Sequence, residues 1–355
     1  MNARIKNALA FSLILQVIFV KWIGQYPSFI ERYYSNGIYP YISGFLRGLY
    51  GWLPFSLGDV LYTLLILLAL RYVYKQWHKI RQKPFFFLRE VMAILAVAYF
   101  TFHLLWGLNY YRQPISETMG LNEAYTSEAL VSFTTSLIER TNMAHRALVP
   151  DDSVQVSIPY SQKELLIKVP NGYAHLQRTF PQLQYSPYSI KGSMYSLLLT
   201  YMGYGGYLNP FTQEAQVNQK IPDFRFPVVS SHEVAHQLGY AAENEANFIG
   251  YLAAANNDDP YFRYTALSYA LSYCLSEVRN TDEALFREQY ARINKGVRKD
   301  YEALNRFWTS YENPMEPLFK SVFNTFLKAN NQPQGIRSYS LVVALLVAYH
   351  QEHPI

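Results

Sequence analysis

Three apolar runs in the first 110 residues constrain this chain more than anything after them. They extend from about 8 to 23 (ALAFSLILQVIFVKWI), 55 to 73 (FSLGDVLYTLLILLALRYV) and 91 to 108 (VMAILAVAYFTFHLLWGL). Each is close to the length that a helix needs to cross a hydrocarbon core of about 30 Å. Lipid offers the backbone no hydrogen-bond partner, so runs of this kind must be helical. The second and third are continuous and flanked by Trp and Tyr, which favours spanning over burial in a protein core. The first begins with Arg4 and Lys6 like a signal peptide, but no clear small-residue cleavage site follows, and we read it as an uncleaved anchor.

Basic residues set the expected orientation. Arg71, Lys75, Lys79, Arg81, Lys83 and Arg89 crowd the second connection, whereas the first has mainly Arg32 and Arg47. The positive-inside rule places the second connection, and the N-terminus with it, in the cytoplasm. Everything after about Tyr110 is then expected on the outer side. Asp59 and His103 fall at span edges, where polar side chains sit at the interface or pair between helices.

Composition agrees with this division. Half of the 355 residues are hydrophobic and 16% are charged, low for a wholly soluble protein. The net charge of +5 is concentrated around the apolar runs, so it reports topology and predicts no nucleic-acid partner. A single cysteine, Cys274, excludes an intramolecular disulfide framework and a Cys-based zinc cluster. We therefore expect a membrane region over 1–112 and one outer domain over 113–355. Nothing in the sequence sets an oligomeric state.

The outer domain reads as α+β and mainly helical. Helical spacing covers 127–147, and SQKE at 161–164 is a capping-box pattern. Pro170 is expected to open another helix, ending near Pro181. Residues 189–218 are rich in Gly, Tyr and β-branched residues and predict two or three strands. Further helices are expected from Asp259–Pro260 onward and near 281–305, 314–329 and 338–350, the last a buried core helix.

The chemistry concentrates in SSHEVAHQLGYAAENEANF, residues 230–248. His232 and His236 lie four apart, on one helical face, so both imidazoles can reach one ion. Glu233 points about 100° away around the helix, off the metal but near water held there. Gly239 is placed to bend the chain in a left-handed cap. Glu243 and Asn247, again four apart, can then present a third ligand and an acceptor for a histidine N–H. Glu245 is the alternative third ligand, and Glu277 a more distant one.

H-E-x-x-H followed by E-x-x-x-N resembles the gluzincin branch of zinc metallopeptidases. ENEAN is similar to the E-x-E-A-N element of small bacterial regulatory peptidases of that branch, in which the first glutamate is the ligand. The whole chain resembles an uncharacterised bacterial family with three N-terminal spans and an outer zincin-like domain, through WGLNYYR, YLNPFTQEAQVN and the 230–248 stretch. Two features depart from the pattern. Six residues separate His236 from Glu243, fewer than is common in gluzincins, and Ala242 stands where a metzincin has histidine.

The resemblance implies a zincin-like domain with a small sheet and an H-E-x-x-H helix, anchored in a bacterial cytoplasmic membrane and facing outward. It implies Zn²⁺ held by His232, His236 and Glu243, with Glu233 as general base and a peptide or protein as substrate. By the same resemblance GYLNPFTQEAQVN, before the active helix, is the candidate strand to pair with the substrate; an ordinary hairpin is the alternative. Tyr339, Tyr273, Arg337 and His350 are candidates for stabilising the transition state. The alternative is a non-catalytic receptor or assembly protein with a structural zinc, for which Glu233 would have no use.

Overall fold

A computed structural model describes residues 2–333, 335 and 341–353. Three helices are long and apolar enough to cross a membrane: α1 (Ala3–Ile23), α3 (Leu57–Gln82) and α4 (Pro84–Leu105). Each exceeds the apolar run that predicted it, because charged flanks continue the helix. Asn2 and Ser56 cap α1 and α3 through their side chains, and Pro84 opens α4 at its first position. The third ends at Leu105, short of 108, where Trp106 leaves helical geometry and a 3₁₀ turn, Gly107–Tyr111, begins.

The segment between the first two of these helices folds, which its sequence does not announce. A π-helical stretch, Ile30–Ile38, leads into α2 (Tyr39–Tyr50). Glu31, Ser35, Tyr39, Ser43 and Arg47 of this segment are buried. A core cluster joins Val20, Ile30, Tyr34 and Tyr39 to Trp106, Tyr110, Ala241 and Leu327, so residues of both regions share one packed interior.

The longer helices that follow are α5 (Ser127–Arg146), α6 (Gln162–Leu176), α7 (Ser196–Met202), α8 (Phe226–Gln237), α9 (Glu243–Ala255), α10 (Pro260–Thr281), α11 (Glu283–Ala291), α12 (Lys295–Thr309), α13 (Glu316–Ala329) and α14 (Val342–Glu352). Ser161 and Glu164 form the predicted capping box, and Asp259 caps α10. Pro170 does not start a helix. It sits inside α6, which is already nucleated at Ser161 and ends at Leu176. The expected helix over 281–305 is two helices, broken at Arg292–Asn294. Val342, Leu345, Leu346 and Val347 of α14 are buried, as a core helix requires.

The sheet has three short strands, β1 (Ile190–Gly192), β2 (Gly206–Asn209) and β3 (Glu214–Val217), in the order β1-β3-β2. β1 runs parallel to β3 and β2 antiparallel to it, leaving an outer edge of β2 unpaired within the sheet. The predicted run of strands is interrupted by α7. Its SLLLTYM sequence is rich in helix formers, and Gly203 (φ 79°) ends it in a left-handed cap.

Helix α8 lies in the middle, packed by α6, α9, α10 and β3. Its apolar residues Val228, Val234 and Ala235 belong to the main core with Phe248, Leu252 and Phe262. Where α9 crosses it, a Cβ on Gly250 would lie 2.9 Å from His232 N and 3.0 Å from its Cα. Overpacking against rigid backbone costs about 1–3 kcal/mol, which exceeds the gain of up to about 1 kcal/mol from replacing a helical glycine. Gly250→Ala is therefore expected to lower the thermal unfolding temperature of the full chain, and an unchanged or raised value would refute the close crossing.

Candidate metal centre

Helix α8 carries HEVAH in its last two turns and must then stop. Gly239 takes φ 87°, Tyr240 N–H donates to Ala235 O at 3.2 Å, and Gly239 N–H donates to His236 O at 3.0 Å. This is a Schellman cap. The chain turns back, Ala242 is extended, and α9 begins at Glu243. A side chain at 239 would also meet Tyr39 Cε1 at 2.9 Å and Asn109 Oδ1 at 3.0 Å.

The carbonyls exposed at the end of α8 are satisfied from the N-terminal region of the chain. Trp106 Nε1 donates to His236 O (2.9 Å), Tyr39 Oη to Gln237 O (2.7 Å) and Arg112 Nη1 to Gly239 O (3.0 Å). Orphan carbonyls at a buried helix end need such partners. The α8 terminus, and with it the bend, is thus held by residues far away in sequence.

The bend delivers Glu243 to the two histidines. Its Oε2 lies 3.5 Å from His232 Nε2 and 3.8 Å from His236 Nε2. One donor atom from each residue falls within 4.8 Å of the others. Zinc–ligand bonds of about 2.0–2.1 Å in a tetrahedron place donors about 3.3–3.4 Å apart, so small side-chain adjustments close the set around an ion. Two imidazoles and one carboxylate form a donor set typical of catalytic zinc. Tyr240 O accepts from His236 Nδ1 at 2.8 Å, which leaves Nε2 free to ligate. The residues present therefore fit zinc.

Charge follows from burial and proximity. Burial would raise the Glu243 carboxyl, but the two facing imidazoles hold it well below its ordinary value. Burial would lower His236, but Glu243 raises it to about 9. His232 is lowered, chiefly by burial. Glu233 is pushed up to about 8 by burial, with His236 opposing and Glu243 adding to the shift. Its Oε2 is buried with no hydrogen-bond partner.

Asn247 stands one turn along α9 from Glu243. Its Oδ1 accepts from Tyr269 Oη at 2.5 Å, while its Nδ2 and His232 Nδ1 are both buried and unpartnered. Turning the carboxamide over would let Oδ1 accept from His232 Nδ1–H and Nδ2 donate to Tyr269. That is the arrangement a ligating His232 Nε2 needs. Asn247→Ala is expected to weaken zinc binding by about 10–100-fold, measured by competition with a chelator of known affinity. Unchanged affinity would show that Asn247 does not orient the ring.

Other candidates lie elsewhere. Glu245 turns away from the cluster and accepts from Ile115 N–H at 2.7 Å, its carboxyl raised to about 7 by burial. Glu277 lies outside the cluster, beside Tyr125. His350 bonds Tyr251 Oη (2.7 Å) and does not line the cleft, whereas Tyr273 does. Tyr339 and Arg337 lie outside the described residues.

A cavity of about 880 Å³ opens over the cluster. Its walls are aromatic and aliphatic, with β2 along one side and Arg225 on another. Arg225 stacks 4.1 Å from the Tyr269 ring, and its Nη1 is buried without a hydrogen-bond partner. Sequence reading did not select Arg225, Tyr269 or Arg112. Tyr269 and Tyr273 share a helix face at i, i+4 spacing, but among 32 tyrosines that spacing carries little signal.

Fold and cluster together define a class of protein: a mainly helical chain with three helices apolar enough to span a membrane, joined to a buried His–His–Glu cluster beneath an apolar cleft. The chain belongs to the family described as "Protein of unknown function (DUF3810)", which it matches over residues 34–347. No curated protein and no solved structure matches it.

Proposed function

We propose that this protein is a membrane-anchored zinc peptidase of zincin-like type, with its catalytic side outside the cytoplasm. One observation carries the reading: Glu243 is brought between His232 and His236 by the Gly239 bend, with Glu233 buried beside them. The resemblance of H-E-x-x-H and ENEAN to gluzincins supports it.

A zinc ion held by His232 Nε2, His236 Nε2 and Glu243 would supply Lewis acidity, polarising a scissile carbonyl and making water more acidic. Glu233 then accepts the proton of the attacking water and returns it to the leaving amine. Glu233 lies buried beside the cluster with its Oε2 free of any hydrogen-bond partner, which suits a group that must do both. The free edge of β2 can hold an extended peptide through main-chain hydrogen bonds. It runs close to Glu233: a Cβ on Gly206 would lie 2.6 Å from Glu233 Oε1. Arg225 and Tyr273 supply donors on the cleft wall for charge developing on the substrate.

The test uses the full chain purified in detergent. Metal analysis is expected to find about one zinc per chain, the capacity of one such cluster. Cleavage of a mixed peptide library is expected to be lost with a chelator and regained with zinc. A chain that binds no zinc, or a fully loaded chain that cleaves nothing in the library, would overturn the reading.

A further inference from the structure

Two helices at the mouth of the cleft expose apolar faces that nothing among the described residues covers. At the N-cap of and along α13, Met315, Leu318, Val322 and Phe326 fall at i, i+3, i+7 and i+11, one helical stripe, and are 40–61% exposed. On and before α7, Met194, Leu197, Leu198 and Tyr201 form a second stripe, 44–63% exposed. The two helices are neighbours: Asn313 Nδ2 donates to Tyr201 O at 2.7 Å, and the Tyr201 and Tyr311 rings lie 5.3 Å apart. A contiguous apolar surface of this kind marks a binding face, not ordinary surface scatter.

Both helices are fixed to the same ends of the spans. Phe326 packs 6.2 Å from Phe102, near the end of α4, and Lys21, near the end of α1, donates to Ala329 O at 2.9 Å. Met194 N–H and Tyr195 Oη donate to Asp59, in the first turn of α3, at 2.6 and 3.0 Å. The two stripes therefore continue the apolar surface of the spans at one level. The cleft lies between these groups. Tyr62 of α3 and Phe102 of α4 both line it, and α3 and α4 touch each other only sparsely. Leu198 and Phe326 line it while remaining exposed, so they mark its mouth.

We infer that the α7–α13 face is seated in the bilayer leaflet on the domain's side, so that the cleft opens into the lipid interface and receives polypeptides tethered to that leaflet. The occupant of the face is lipid, because the face is continuous with the lipid-facing surface of the spans. Amphipathic helices with a large apolar stripe bind such an interface through buried area. Seating the mouth there places a tethered peptide at high effective concentration and keeps bulk soluble chains at a disadvantage. The substrate half of this inference rests on the peptidase reading; the lipid half does not.

The experiment uses the full chain reconstituted in phosphatidylcholine vesicles. Leu197→Cys, Leu318→Cys and Val322→Cys are labelled singly with a fluorophore, with Glu302→Cys on the exposed part of α12 as control; Cys274 is buried. Lipids spin-labelled near the headgroup are expected to quench the three mouth positions and spare the control. Quenching no greater than at the control would overturn the lipid seating, and labels shielded without lipid quenching would assign the face to a protein partner instead. The second arm compares one cleavable peptide free in solution and attached to the vesicles by a palmitoyl chain or by an apolar span. Both tethered forms are expected to be cut roughly tenfold faster than the free one, a preference that Leu318→Glu/Val322→Glu abolishes while cleavage of free peptide persists. Equal rates for tethered and free peptide would overturn the substrate class. Lipid quenching with neither form cleaved would leave the seating standing and remove the peptidase reading.

Discussion

On the proposed peptidase reading, Glu233→Gln is expected to abolish peptide hydrolysis while the protein stays folded and still binds zinc. A positioned general base contributes about 10²–10⁴-fold to rate, so kcat should fall by at least about two orders of magnitude, or about 3 kcal/mol of barrier. The variant isolates the proton transfer for a structural reason. Glu233 is buried, its pKa is pushed up to about 8 by that burial, and its Oε2 has no partner to lose. A carboxamide of the same shape therefore breaks no hydrogen bond of that oxygen, with little cost to stability. Metal content measured on the same sample decides the rest. Retained hydrolysis with retained zinc would remove Glu233 as the base, and loss of zinc would make it a ligand instead of a base.

The legible part of the site was its local part. His232, Glu233 and His236 are related by helix periodicity alone, and a Gly three residues on is a turn signal whatever follows. The bend at Gly239 and the position of Glu243 could be anticipated because a left-handed cap is encoded within a few residues. The three apolar helices were legible for the same reason: spanning length and continuous hydrophobicity are local properties. Their ends were not, because charged residues such as Lys75 and Lys79 extend α3 beyond its apolar run.

What escaped was non-local or carried by common residue types. The segment 30–50 buries Glu31, Ser35, Ser43 and Arg47, so no apolar pattern marks its packed face, yet its Tyr39 reaches Gln237 O and its Glu31 meets Arg112. Those pairings have sequence separations of 81 and 198, and no short pattern predicts them. Helix α7 reads as strand because glycines and tyrosines around it imitate strand punctuation, while its own Leu-rich core favours helix. The orientation of Asn247 is decided by Tyr269 on another helix, which i, i+4 spacing within α9 could not reveal.

The second large effect is expected at one of those non-local pairs. Arg112 bonds Glu31 through two nitrogens, Nε–Oε2 at 2.9 Å and Nη2–Oε1 at 2.7 Å, and both side chains are buried. Its third nitrogen holds Gly239 O, and its guanidinium lies 4.0 Å from the Tyr240 ring. Arg112→Met leaves the Glu31 carboxylate buried and unpaired, which costs about 3–5 kcal/mol. It also releases the carbonyl at the bend that delivers Glu243. Glu31→Met/Arg112→Met removes both charges, and buried ion pairs can often be replaced by apolar residues at little net cost. The double variant is therefore expected to recover most of the stability, leaving about 1–3 kcal/mol for the orphaned Gly239 carbonyl. Zinc affinity separates the two roles. If Arg112 positions the bend, affinity falls in the single variant and stays low in the double one, while the unfolding temperature returns. Recovery of both together would confine Arg112 to charge neutralisation, and a single variant as stable as the parent would show that Glu31 is not held in a buried pair.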